Sequence, residues 1–550
     1  MMRRLIGIGP KYPILAAGVL TLTGATVLWA GTTVEWKGGG GDWQDTAMWG
    51  GTLPSRTAEA RINGTHEKPS PVKLAGADVL VNHLSVGDGG NSLASLVLDG
   101  PSLTVSGAID LGKYNGSDGR FVLKSGHLFL GTIFVSGGGG PGMRGRGNVE
   151  IEGGSLVTKD IELGVSAGCS STVRVVGTKA SGIVAEDGLH IGVYNYLHLG
   201  GVIETKGLVI REPYITIAGQ TAPGDGICIK KTQSGGDALR LSGTHDVILR
   251  FLRVRAGNNT GQFRCDTFRV YDSDNFIVDH CSCSWGNPET LSASGSVDRY
   301  TVQWCINSEG NNQQRHPFAS IVGGDRSTWH HNLFAHMLSR VPRWGDITVQ
   351  CDFRNNVIYD WGHTCGYGDL RTLNYIDNYL RPGASTTQRP PYFIVDPKVA
   401  LPASIYISGN VMAGKPAVCA DNWKGVKGDP SLQAQAPFPA PPVQTQSAQG
   451  AFELVLDKAG ATLPKRDAVD ARIVSDVRNG TGRIIRNENE VGGLPAYASR
   501  EPPADAANDG IPDEWKKAHG LPLNDSNVAN AINADGYTEL EVYLNWLVKR

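Results

Sequence analysis

An all-β solenoid is the fold class this sequence predicts. Three observations carry the prediction: a high glycine content, a repeat of 22 to 32 residues, and alternation of apolar and polar residues inside each repeat. Gly accounts for 72 of 550 residues, about 13% and roughly twice the usual share. Charged residues are 19% and aromatics 7%, a composition too apolar for disorder and without the Gly-X-Y period of collagen. Lys and Arg number 51 against 53 Asp and Glu, a net charge of −2, so no basic excess points to a nucleic-acid partner. Few charges and many glycines suit short strands joined by tight turns.

The repeat is read from six segments, IVDHCSCS, VQWCINS, WHHNLFA, FRNNVIY, YIDNYLR and ISGNVMA, centred on Cys281, Cys305, Asn332, Asn356, Asn378 and Asn410. Their steps are 24, 27, 24, 22 and 32 residues. A period of this size signals a solenoid, and period-two alternation within it makes the strands β. One coil has no partner for its apolar face, so coils must stack. Asn at equivalent positions then forms a hydrogen-bonded ladder inside the bends. A second register upstream starts its apolar runs at Leu103, Leu128, Leu156 and Ile183, with steps of 25, 28 and 27. The two registers make one continuous solenoid or two abutting ones, and residues 35–49 (EWKGGGGDWQDTAMW) read as a cap or entry strand.

Both ends depart from this texture. Residues 1–13 carry Arg3, Arg4 and Lys11 without an acid, and residues 14–30 are apolar or small throughout. This is the pattern of a secretory signal peptide, and it predicts a secreted or periplasmic protein with no membrane segment in its mature form. Residues 430–449 are rich in Pro, Gln and Ala and read as a linker or wrapped coil. Residues 451–461 and 467–479 read as helices. The chain closes with a capping box of Thr538 and Glu541 ahead of Leu540, Tyr543, Leu544 and Leu547, spaced as one apolar helix face. The expected organisation is a signal peptide over 1–30, Gly-rich β-solenoid repeats over 31–195, a second solenoid over 196–428, a wrapping segment over 429–500 and a helical segment over 501–550. Asp505, Asp509, Asp513, Asn533 and Asp535 give the last segment an EF-hand-like look, with helix-capping turns as the default. The nine Cys are an odd number without framework spacing, and are read as buried thiols, not staples.

The densest cluster of unusual residues lies between Asp266 and Gly345: DTFRVYDSDNFIVDH, NPETLS, SEGNNQQRHP and HHNLFAHMLSRVPRWG. Together with YITIAGQTAPGDGICI and VILRFLRVRAG upstream, these motifs resemble the pectate lyase family of right-handed parallel β-helix enzymes, over about 196–425. The resemblance implies β-elimination on a uronate-containing polysaccharide such as polygalacturonate or pectin. A base removes the C5 proton and the 4-O link leaves, so fixed positive charge is needed at the C6 carboxylate. It further implies Arg340 as the base. The family's second Arg, five residues after the base, is replaced here by Gly345. Arg343, three residues after the base, is read as taking over its work on the substrate carboxylate with its planar fork.

The family's metal is Ca2+, and the resemblance places its ligands at Asp266 and Glu289. Arg264 stands where a companion carboxylate is expected and Ala293 where another is, so an arginine replacing the cation is the open alternative. The family's substrate-binding Lys is absent. Arg315, beside His316, is its stand-in, with His316 and Trp344 as further substrate contacts. Asp279 and His280 read as an internal hydrogen-bond network. A monomeric enzyme is expected. The alternative is a non-catalytic β-solenoid that binds glycans or acts as an adhesin. A glycoside hydrolase such as a polygalacturonase is disfavoured, because hydrolysis needs two carboxylates placed across the bond and no G-D-D or G-H-G motif stands at coil spacing.

Overall fold

The computed structural model describes residues 32–65, 67–114, 116–135, 146–151, 155–163, 170–175, 182–191, 195–199, 201–211, 213–232, 236–257, 266–311, 316–395, 404–498, 500, 503–507, 509–525 and 527–549. The expected signal peptide, Arg264, Cys169, Cys265 and Arg315 lie outside them.

The architecture is a parallel β-helix. Each coil contributes short strands to parallel columns, and one column passes in unbroken pairing from Thr33–Glu35 to Val411–Met412. The two sequence registers are therefore one continuous ladder. Leu103 pairs with Leu128, Leu128 with Leu156, and Leu156 with Ile183, the pairing their spacing predicts. A second column runs from Ile215–Ala218 through Asp274–Asp279 and Asp325–His330 to Ser404–Ser408. A third runs from Leu208–Ile210 through Phe268–Tyr271 and Leu291–Ser294 to Arg343–Arg354. This third column carries the candidate site.

Alternation places Leu239, Leu241, Phe268, Val270, Leu291 and Ala293 in the interior, each essentially inaccessible. Such stacking buries the apolar side of every coil against the next, which no coil achieves alone. At the amino-terminal end Trp36, Trp43 and Trp49 pack together, with centroids 5.1 Å apart for Trp36 and Trp49 and 4.8 Å for Trp43 and Trp49.

The ladder inside the bend is built as its residues suggest. The Oδ1 of Asn356 accepts from the backbone N–H and the Nδ2 of Asn332, both at 3.0 Å. Asn378 serves Asn356 likewise, and Asn410 serves Asn378. Asn422 extends the series by one rung from outside the repeat. Cys281 and Cys305 continue it in the other direction, with the Cys281 N–H donating to the Cys305 Sγ. All seven described cysteines are unpaired, and all but Cys419 are buried.

Residues 436–446 wrap along the coils, where Asn374 and Phe438 exchange hydrogen bonds and Gln446 meets His331 and Asn355. Helices Ala448–Lys458 and Ala468–Asn479 then lie on the solenoid. Arg255 anchors the second through Asp467 at 3.0 Å and Asp470 at 2.8 Å, and Arg472 reaches back to Glu309. The final helix, Glu539–Lys549, begins at the predicted capping box: Glu541 accepts from the Thr538 N–H, and Thr538 accepts from the Glu541 N–H. The acidic loop before it is filled from within. Lys516, fully buried, places its Nζ 2.7 Å from Asp509 and 3.6 Å from Asp505, while Asp513 caps the Ala506 N–H. The EF-hand-like look thus corresponds to a loop that holds a lysine ammonium between two of its carboxylates. Among the described residues no helix is long and apolar enough to cross a membrane.

Candidate active site

Three carboxylates occupy one register position on three consecutive coils. Leu239 pairs with Phe268 and Phe268 with Leu291, and Asp237, Asp266 and Glu289 each stand two residues before these partners. The Oδ1 of Asp237 accepts from the Asp266 N–H, and the Oδ1 of Asp266 from the Glu289 N–H, both at 3.3 Å. Asp237 and Asp266 thereby each support the backbone of the next coil, whereas Glu289 is left to meet a side chain. All three lie largely out of solvent; the Asp266 and Glu289 residues are 7% and 3% accessible.

The fourth rung is Phe318, bridged to Glu289 on one side and Ser339 on the other. Arg340 follows Ser339. Between Phe318 and Ile321, and between their partners Ser339 and Arg343, the second strand holds one residue more. Arg340 absorbs the difference with a left-handed backbone (φ 59°), which swings its side chain off the sheet. Its guanidinium crosses the Phe318 ring, 4.5 Å from the centroid, and contacts the Glu289 carboxylate. Glu289, Arg340 and Asp266 thus converge on one face of the solenoid.

Burial holds the Asp266 carboxyl up at about 7; the neighbouring charge of Asp237 adds to this, and the guanidiniums of Arg269, Arg340 and Arg240 oppose it. The Asp237 carboxyl is raised for the same first reason, with Arg269 and Arg240 opposing.

Arg343 is half-buried on the same coil as Arg340, and its guanidinium lies against Gly345, where a Cβ would come within 3.2 Å of it. A side chain at position 345 would displace that fork. His316 is exposed, with its ring edge-on to Phe318 at 5.1 Å. Trp344 is a correction. Expected to meet substrate, it is fully buried against Phe353 and Tyr375, because residues 343 and 344 point to opposite faces of one strand. Asp279 and His280 belong to an internal network: Asp279 accepts from Arg250, His280 and Gln303, and His280 stacks between Phe251 and Trp304.

Sequence reasoning missed Asp237 and Phe318. Asp237 had a signal: D-A-L-R-L at 237–241 and D-T-F-R-V at 266–270 share one pattern at a separation of 29, a single coil. Phe318 had none, since only the register puts it between Glu289 and Arg340. A separate cavity of about 430 Å³, lined by Gln303, Trp304, His330, His331, Gln446 and Lys458 among others, includes none of these residues.

With this parallel β-helix, the curated relatives define the class as polysaccharide lyases. The chain belongs to the pectate lyase family. It is 32% identical over 369 residues to a protein named probable pectate lyase C from Aspergillus terreus, a match spanning 64% of this chain and 82% of that one. Its similarity to the protein of the same name from Neosartorya fischeri is 32% over 365 residues, with the same coverage. No family model matches the sequence. Among solved structures, a pectate lyase from Bacillus sp. N165 in complex with trigalacturonate is 17% identical, covers 55% of this chain and 86% of its own, and superposes with a TM-score of 0.33. The chain is a polysaccharide lyase, which sets aside the non-catalytic alternative.

Pectate lyases generally use Ca2+. The ligands expected for it do not fit the ion as they stand. Glu289 gives an oxygen to Arg340 and Asp266 gives one to the Glu289 amide, whereas Ca2+ takes six to eight oxygens. Among the described residues no three His, Cys, Asp or Glu side chains are grouped to hold a metal. Three carboxylates are instead accompanied by three guanidiniums, those of Arg240, Arg269 and Arg340.

Proposed function

We propose that this chain is a secreted lyase that breaks uronate-containing glycans of the pectate type by β-elimination, with Arg340 as the base. The observation that supports this most is the convergence of Arg340 with Glu289 and Asp266 on one face, in a chain of this family.

A charged guanidinium has no lone pair to offer a proton. Arg340 therefore acts only when it has left Glu289 and given up its own proton. Neighbouring positive charge favours that loss, and Arg343 stands three residues away. In the reaction, Arg340 takes the proton from C5 of the uronate. The electrons of the broken C–H bond form the C4–C5 double bond, the bond from C4 to the glycosidic oxygen breaks, and that oxygen takes a proton from solvent. Negative charge that builds on the C6 carboxylate is met by the Arg343 fork, preset against Gly345. His316 contributes a contact at the open edge. Arg315 is proposed as the replacement for the family's lysine on its position in the sequence alone.

The test is direct. With polygalacturonate or pectin, the protein should generate the ultraviolet absorbance of the unsaturated product. No rise on any uronate polymer overturns the reading.

A further inference from the structure

The site's strand column carries two further arginines, Arg269 on the coil of Asp266 and Arg240 one coil toward the amino terminus. In the parallel register Arg240 lies beside Arg269 and Arg269 beside Ser292; Ile321 lies beside Arg343 and Arg343 beside Tyr367. These positions form one outward line, because Leu239, Leu241, Phe268 and Val270 on either side of the arginines point inward. Rungs are about 4.8 Å apart. Arg240 and Arg269 are adjacent rungs, and Arg343 lies three rungs beyond Arg269.

The two upstream arginines are held in place. The ring of Tyr271 lies 5.1 Å from the Arg240 guanidinium and 4.9 Å from that of Arg269. Arg240 is 3.9 Å from Asp237, and Arg269 donates to the Ser294 hydroxyl at 3.4 Å. Each guanidinium has five N–H donors, and these contacts use few of them. Among the described residues, the guanidiniums of Arg240, Arg269 and Arg340 stand against the carboxylates of Asp237, Asp266 and Glu289, and Arg343 adds a further positive charge along the same line.

We propose that Arg240 and Arg269, steadied by Tyr271, form a carboxylate-binding track that extends the groove and selects unesterified stretches of a uronate chain. It rests on the reading of Arg340 and Glu289 as the cleavage centre. A planar guanidinium grips a carboxylate through two parallel hydrogen bonds, whereas a methyl ester offers no charge and only a weaker acceptor. A chain bound along the outward line would set its carboxylates against successive rungs.

The experiment compares wild type with the R240Q/R269Q double variant on polygalacturonate and on highly methyl-esterified pectin. A charged hydrogen bond contributes about 1.5–3 kcal/mol, so the ratio of kcat/KM for polygalacturonate over esterified pectin should fall by about tenfold or more. Retention of the variant in a native gel containing polygalacturonate should weaken and lose much of its salt dependence. An unchanged ratio with unchanged retention overturns the track and leaves both arginines as neutralisers of Asp237 and Asp266. A wild type that cleaves neither polymer overturns the cleavage centre, and the track with it. Should the double variant not fold, Arg240→Gln alone carries the same test, since that side chain is a third exposed.

Discussion

The guanidinium of Arg340 spans one coil to meet the carboxylate of Glu289, with the ring of Phe318 beneath it. The two residues are 51 apart in sequence. Stacked coils and a single left-handed residue bring them together. Glu289 is nearly inaccessible and Arg340 is 22% exposed at its side chain, so one partner is anchored and the other is at the surface.

Loss of the arginine should separate its two roles. Arg340→Ala removes the proposed base, and kcat should fall by about 10²–10⁴. It also leaves Glu289 buried without its cation, at a cost of about 3–5 kcal/mol. Adding Glu289→Gln should restore the melting temperature and leave activity low. A wild-type rate in Arg340→Ala would remove it from the chemistry.

Chelation is the second test. Because a guanidinium already occupies the Glu289 carboxylate, the rate on polygalacturonate should be essentially unchanged after treatment with a chelator. A deep loss that added Ca2+ reverses would show that Glu289 exchanges Arg340 for the metal during turnover, and would move the neutralising charge onto the ion.

The Asp266 carboxyl gives a pH signature. Its value in the fold, about 7, lies above the 3.8 of an ordinary aspartate. The unfolded chain therefore releases this proton more readily, and holding Asp266 ionised in the fold costs stability increasingly as pH rises from 4 to 7. Asp266→Asn should leave the melting temperature near that of wild type at pH 4 and raise it at pH 8. Equal shifts at both pH values would mean that charge at Asp266 is not what burial penalises.

The solenoid was legible in the sequence because its physics is periodic. The Asn332, Asn356, Asn378 and Asn410 series fixes the coil length, and the Leu103, Leu128, Leu156 and Ile183 series fixes it again upstream; both registers pair as their spacing requires. The acidic and basic residues of the site were legible by type. Their mutual arrangement was not, since the pairing of Arg340 with Glu289 depends on a one-residue excess that no pattern records. Trp344 was misread because a strand alternates faces: the same rule that exposes Arg343 buries its neighbour. Asn422 escaped because it sits 12 residues beyond Asn410, off the coil period.

The ladder makes its own prediction. Asn356 is fully buried; it donates to the Trp329 carbonyl at 2.9 Å and accepts from Asn332. Asn356→Leu strands the Asn332 amide and the Trp329 carbonyl, each at a cost of about 1–3 kcal/mol. Equilibrium unfolding should show a loss of that order, whereas a neutral effect would mean the bend holds without its side chains.

The acidic loop near the carboxyl terminus offers the last test. Lys516 is fully buried between Asp505 and Asp509, among the residues that pack Ile511, Trp515 and Tyr543 together. A lysine almost never lies fully buried unless it is paired. Its ammonium here stands where a loop of acids would otherwise need a counterion. Lys516→Met keeps the apolar stem but leaves two carboxylates facing each other, one of them 1% exposed at its side chain. That should cost about 3–5 kcal/mol locally. Amide exchange in the helix Glu539–Lys549, which packs on this cluster through Tyr543 and Leu544, should then accelerate while the strand columns keep their protection. In Lys516→Ala, where space is vacated as well as charge, millimolar Ca2+ should restore part of that protection and have no effect on wild type. Equal protection in all three proteins would mean that the helix is held by its apolar face alone and that the buried ammonium contributes nothing to its docking.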